Sequence, residues 1–129
     1  MRRLILPCAL AVATLAMTAQ AQTPAFKRTM LQQVDLSIPG KEVVQALAEL
    51  QPGAAAGKHT HPGEEIGYVQ TGPVVIEIDG QPAKTLQSGE AFFIPNGKVH
   101  NAINRGTGVV KIVATYVVDK GKPTATPVQ

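Results

Sequence analysis

The ten residues KEVVQALAEL, Lys41–Leu50, decide between an all-β chain and a mixed one. Ala, Leu, Glu and Gln are good helix formers, and Val43, Val44, Leu47 and Leu50 fall at the spacing of one helical face. The surroundings argue the other way. Turn signals recur at intervals of about ten residues on both sides: Pro39-Gly40, Pro52-Gly53, Pro62-Gly63, Gly72-Pro73, Asp79-Gly80, Ser88-Gly89, Asn96-Gly97 and Gly106-Thr107-Gly108. A ten-residue segment between two Pro-Gly turns is therefore read as a strand whose helix propensity is overridden by sheet packing.

Working outward, PVVIEIDG places Val74, Ile76 and Ile78 on one face and Glu77 and Asp79 on the other, the period of a half-buried strand. VVKIVATYVV repeats the pattern, with Val110, Ile112, Ala114, Tyr116 and Val118 as the inward set. Short strands at this spacing predict an all-β antiparallel sandwich or barrel. The ends of the folded part, QTPAFKRTML and DKGKPTATPVQ, are polar or Pro-rich and are expected to lie extended over the surface or to fray.

The first residues have the layout of a secretory leader. Arg2 and Arg3 form a basic start, Leu4–Met17 is apolar, and Ala19-Gln20-Ala21 is a small-x-small triplet suited to cleavage after Ala21. The fourteen-residue apolar run falls short of the roughly 20 residues that a span needs. Residues 1–21 are read as a signal peptide and 22–129 as a single domain, exported to the periplasm or beyond the cell. No stable membrane association is expected after processing. The only cysteine, Cys8, leaves with the leader, so the mature chain has no disulfide. The formal +3 of the whole chain includes Arg2 and Arg3, leaving the mature part close to neutral with no basic cluster. No nucleic-acid partner is expected.

Chemistry concentrates in GAAAGKHTHPGEEIGYVQTG, Gly53–Gly72. His59 and His61 are two apart, so on a strand both imidazoles share one face and can share one ion. Glu65 keeps that parity across Pro62-Gly63, whereas Glu64 does not and is read as solvated. The third histidine, His100, follows the Asn96-Gly97 turn and shares a face with Ala102. Spacing alone leaves two readings open, a metal site or a polar loop rich in His.

Gly53, His59-Thr60-His61, Glu65 and Gly72 together resemble the first motif of the cupin superfamily, and Gly89, Pro95-Asn96-Gly97, His100 and Asn104 resemble the second, both complete in order and spacing. The resemblance implies a double-stranded β-helix, a jelly-roll β-barrel, over nearly all of the mature chain, with the part carrying the metal site at about 41–118. It implies that His59, His61, Glu65 and His100 bind one divalent transition metal, one of Mn, Fe, Ni, Cu or Zn. Gly53, Gly72, Gly89 and Gly97 would then occupy turns where a side chain is costly or φ is positive. Pro95 would stiffen the entry to the strand that delivers His100, and Asn104 would serve as framework.

Three imidazoles and one carboxylate would leave two positions of an octahedral ion for water, substrate or dioxygen. Imidazoles must be neutral to bind, and free His titrates near ~6.5, so metal release is expected as pH falls below about 6. The inward strand set predicts an aliphatic pocket in which Tyr116 is the polar-tipped side chain that could orient a substrate; as a plain core residue, it would instead bond a backbone carbonyl. Phe92 or Phe93 should point inward. No second titrating group near the motif stands out, and Lys58 and Lys98 are expected to face solvent. Ile66 and Tyr68 would lie on the outer face of the Glu65 strand, and small cupins resemble one another in pairing as homodimers through such a surface.

Two function classes remain. One is an enzyme on a small organic molecule, dioxygenase-like or isomerase- or decarboxylase-like, with Glu65 doubling as a base and Tyr116 assisting. The other is a non-catalytic module that grips a small ligand through the metal or is stabilised by it. A second polar group aimed at the open metal positions would favour the enzyme, and a sealed apolar pocket the module.

Overall fold

The structure is a computed structural model that describes residues 24–129. The leader, its cleavage site after Ala21 and Cys8 lie outside the described residues. Ten strands follow one another: β1 Phe26–Asp35, β2 Lys41–Leu50, β3 His59–Thr60, β4 Gly63–Thr71, β5 Val74–Ile78, β6 Lys84–Leu86, β7 Ala91–Ile94, β8 His100–Ile103, β9 Val110–Asp119 and β10 Thr126–Pro127. Among the described residues there is no helix. The strands form two antiparallel sheets, ordered β1-β2-β9-β4-β7 and β10-β3-β8-β5-β6, the all-β double-stranded β-helix expected from the sequence.

The deciding segment is a strand throughout. β2 pairs with β9 in unbroken register from Lys41 opposite Asp119 to Leu50 opposite Val110, and with β1 on its other side. Its inward residues are Glu42, Val44, Ala46, Ala48 and Leu50, while Val43 and Leu47, which suggested a helical face, are half-buried on the outer one. Hydrogen bonding to two neighbours and a period-two buried face outweigh the modest helix preference of Ala, Leu and Glu. Opposite it, β9 buries Val110, Ile112, Ala114, Tyr116 and Val118 as expected. These faces join Val69, Val74, Ile76 and Ile94 in one core cluster. Each large aliphatic side chain so buried contributes roughly 1.5–3 kcal/mol. The small inward residues Ala48 and Ala114 leave space between the sheets, and both line the central cavity.

Both ends of the described chain are extended, and they are paired rather than frayed: β1 is an exposed edge strand on β2, and β10 pairs with β3. Asn104 is fully buried and acts as framework. Its side-chain amide donates to the carbonyls of Leu50 and Gly108 and its side-chain oxygen accepts from the Gly106 amide, tying the end of the second motif to the end of β2. Of the four motif glycines, Gly53, Gly89 and Gly97 have positive φ. Gly72 does not; a Cβ there would stand 3.0 Å from the Leu86 carbonyl oxygen, so crowding explains it.

Candidate metal centre

Four buried side chains converge where the two sheets face each other. His59 lies on β3, opposite His100 on β8 in the same sheet. His61 follows β3 directly, and Glu65 enters from β4 in the other sheet, opposite Tyr116 on β9. Each of His59, His61, Glu65 and His100 offers one ligand atom, and these atoms lie within 4.8 Å of one another. Glu64 faces away, and Lys58 and Lys98 are exposed.

The orientation of each ring is set by the backbone. Nδ1–H of His59 donates to the Gly57 carbonyl (2.7 Å), that of His100 to the Lys98 carbonyl (2.9 Å) and that of His61 to the Thr124 carbonyl. A carbonyl only accepts, so all three Nδ1 atoms carry a proton and each ring turns its Nε2 toward the centre, where it offers a lone pair whenever that nitrogen carries no proton. Nε2 of His61 and of His100 lie 2.9 and 3.0 Å from the same Glu65 oxygen. The His61 nitrogen makes no hydrogen bond and is buried. Lone pairs gathered around a buried carboxylate repel unless a cation or protons lie among them. The donor set therefore fits a divalent transition ion, which takes imidazole nitrogen and carboxylate oxygen together.

Burial outweighs the Gly57 hydrogen bond at His59 and pushes its pKa down to about 4. Burial would raise the Glu65 carboxyl, but without metal, the hydrogen bond from His100 and the His61 imidazole against it outweigh burial and hold it at about 2, protons then standing among the nitrogens where an ion would. At that value Glu65 is a better ligand than base. Burial and the Glu65 carboxylate push the Tyr116 phenol above its usual range, so it stays protonated and can donate.

These shifts predict an acid sensitivity of the metal-free chain. Between about pH 6.5 and 4 the unfolded chain protonates His59 and the folded chain does not, so stability falls as pH falls across that window. Glu65 adds a second loss from about pH 4.5 down to 2, where the unfolded carboxyl protonates first. The urea midpoint of metal-free protein should therefore be clearly lower at pH 4.5 than at pH 7.5; equal midpoints would contradict the burial of a neutral His59. The release expected below about pH 6 from a free imidazole moves lower for this ligand.

Beside the cluster is a cavity of ≈ 30 Å³, bounded by His59, Glu65, His100 and Tyr116 together with aliphatic residues, Phe92 and Arg28. That is room for a water or two. Phe92 is the inward phenylalanine and Phe93 is exposed, because Ile94 pairs with Glu65 and sets the parity of β7. The Tyr116 ring lies 4.5 Å from that of His61. Arg28, on β1, is the polar group that sequence reasoning missed; its guanidinium stands 5.7 Å from the centres of both the Tyr116 and Phe26 rings. The Thr124 carbonyl was missed as well, since a backbone acceptor has no residue signature.

Comparison with known proteins agrees with this geometry. The family model described as "Cupin domain" matches residues 46–116. The HTH-type transcriptional regulator PuuR of Escherichia coli is 32% identical over 79 residues, 60% of this chain and 42% of that protein. Germin-like protein subfamily 3 member 1 of Arabidopsis thaliana is 30% identical over 101 residues, 74% of this chain and 46% of that one. The chain thus spans less than half the length of these relatives. Among solved structures, the DMSP lyase DddQ from Ruegeria pomeroyi superposes with a TM-score of 0.67 at 19% identity, over 80% of this chain and 51% of the lyase, a likeness of fold.

Proposed function

This chain belongs to the cupin family, and on that premise we propose that it holds one divalent transition metal at His59, His61, Glu65 and His100 and acts as an exported enzyme on a small organic substrate. The observation that carries the proposal is the set of three Nδ1-anchored imidazoles turned on one buried carboxylate beside a cavity with a cationic and a phenolic group in its wall. When bound, the metal would supply Lewis acidity or a site for dioxygen. The chain's own residues do the rest: the anchored rings would fix the ligand geometry, the aliphatic wall excludes bulk water, and the protonated Tyr116 could donate a hydrogen bond to an oxygen of a substrate in the cavity. A dioxygenase-like reaction is favoured over isomerisation or decarboxylation because the free space next to the cluster suits a diatomic gas or one end of a small molecule.

The alternative, a non-catalytic module that binds a ligand or is merely stabilised by metal, would be better served by a sealed apolar space. Arg28 and Tyr116 at the cavity wall favour the enzyme. To separate them, metal-free protein is reconstituted in turn with Mn, Fe, Ni, Cu and Zn, and oxygen uptake and product formation are followed over a panel of small organic molecules. Turnover abolished by a chelator and restored by one of these ions is the expected result; stoichiometric binding with no turnover would leave the module.

The exported setting rests on the basic start, the apolar run and the Ala19-Gln20-Ala21 triplet, and an N-terminus at Gln22 on protein recovered from outside the cytoplasm would test it. We also propose a homodimer through the outer face of β4 and β7, where Ile66 and Phe93 are register partners, both half exposed, with Tyr68 beside them. Light scattering at the monomer mass would overturn it.

A further inference from the structure

We propose that the metal cavity is the inner half of a two-part site, and that Arg28 in the outer half holds the acid group of a small organic anion. The inference rests on the function proposed above and specifies its substrate class.

The inner cavity takes only one or two water-sized groups, so any organic ligand reaching the cluster keeps most of its body outside. Outside lies a groove of ≈ 370 Å³, the size of a small-ligand site. Four residues, Phe26, Arg28, Ala56 and His59, line both spaces, so the groove adjoins the cavity across these side chains. Two cations, Arg28 and Lys58, line the groove, and no carboxylate does. Lys58 is loosely engaged, 3.8 Å from an exposed Asp79. Arg28 makes no ion pair among the described residues.

The Arg28 guanidinium is nonetheless held in place, 5.7 Å from the centres of the Phe26 and Tyr116 rings. A planar fork of donors, positioned by aromatic rings and lacking an acidic partner, matches the two oxygens of a carboxylate. The remaining wall, with Ala125, Pro127 and Val128, is apolar and suits a short aliphatic body. The ligand so described is a small carboxylic acid whose acid group rests on Arg28 while its other end enters the cavity beside His59 and Tyr116.

Calorimetric titration of Mn(II)-loaded protein with straight-chain acids of about two to six carbons and their primary amides tests this directly. At least one acid should bind about tenfold or more tightly than its amide, as loss of a charge-assisted pair implies. In Arg28→Gln, on an exposed edge strand, the preference should vanish with metal content unchanged. Arg28→Lys, which keeps the charge without the fork, should show a preference below wild type. Wild-type protein that prefers no acid over its amide, or a preference unchanged in both variants, overturns the proposal; in the latter case the acid binds elsewhere. A chain that takes up no metal defeats the proposed enzyme instead, and the same acid and amide titrations on metal-free protein still decide the role of Arg28.

Discussion

His100→Ala is expected to lower metal affinity by at least about 100-fold, measured by competition with a chromophoric chelator. Loss of a group that merely orients a ligand costs about 10–100-fold, and loss of the ligand itself costs more. His100 has a second share in the site. Its strand position opposite His59 holds the two rings 4.2 Å apart, centre to centre, and its Nε2 lies 3.0 Å from Glu65. His59→Ala should behave alike, while Glu64→Ala, one residue from a ligand but turned away from the cluster, should bind as wild type. A thermal readout separates ligation from damage. Metal raises the stability of wild type by mass action, and that increment should disappear in His100→Ala. The metal-free variant should remain folded, because it loses one member of a crowded buried polar group. Equal affinity in wild type and both histidine variants would remove the ion from this cluster.

Gly63→Ala should be the most destabilising glycine-to-alanine change among the described residues. Gly63 opens β4 between His61 and Glu65, in register with Val118. A Cβ there would stand 2.0 Å from the Val117 carbonyl oxygen and 2.7 Å from the Val118 Cα. Both are backbone atoms of the central strand β9 and cannot rotate aside, so β4 must move off β9 and take Glu65 with it. Overpacking a well-packed core costs about 1–3 kcal/mol where side chains can adjust, and a clash with paired backbone should exceed about 3 kcal/mol, a large part of a typical domain's stability. Urea unfolding of metal-free protein measures it, with Gly108→Ala as control, since a Cβ at Gly108 meets nothing within 4 Å. The control should stay within about 1 kcal/mol of wild type. Similar midpoints for the two variants would mean that β4 and β9 are not as close at Gly63 as described.

What could be read from the residues follows physical lines. The four candidate ligands were legible through the resemblance of their two motifs to those of cupins, since the spacing alone fits a polar loop as well, and the structure gathers all four. The inward face of β9 was legible because alternation survives in an uninterrupted strand. β2 was harder: two of its inward residues are Ala, which carries little β signal, and only pairing with β1 and β9 decides it. Arg28 was not legible at all. It sits in a polar terminal stretch and reaches the cavity because β1 pairs with β2 and β2 with β9, placing Arg28 opposite Ala48 and Ala48 opposite Ile112. Such proximity belongs to long-range register rather than to any local pattern. The same holds for the Thr124 carbonyl, brought to His61 by the returning C-terminal segment that ends in β10.

The most direct test of a mononuclear metal centre is metal content by mass spectrometry on tag-free protein from Gln22 onward, purified without chelator and then reconstituted with Mn, Fe, Ni, Cu and Zn separately. About one ion per chain, absent from His59→Ala and His100→Ala prepared in parallel, is the expected result. No stoichiometric uptake of any of the five ions by a folded wild-type chain would contradict it, and would make the three anchored imidazoles around Glu65 a proton-sharing cluster instead.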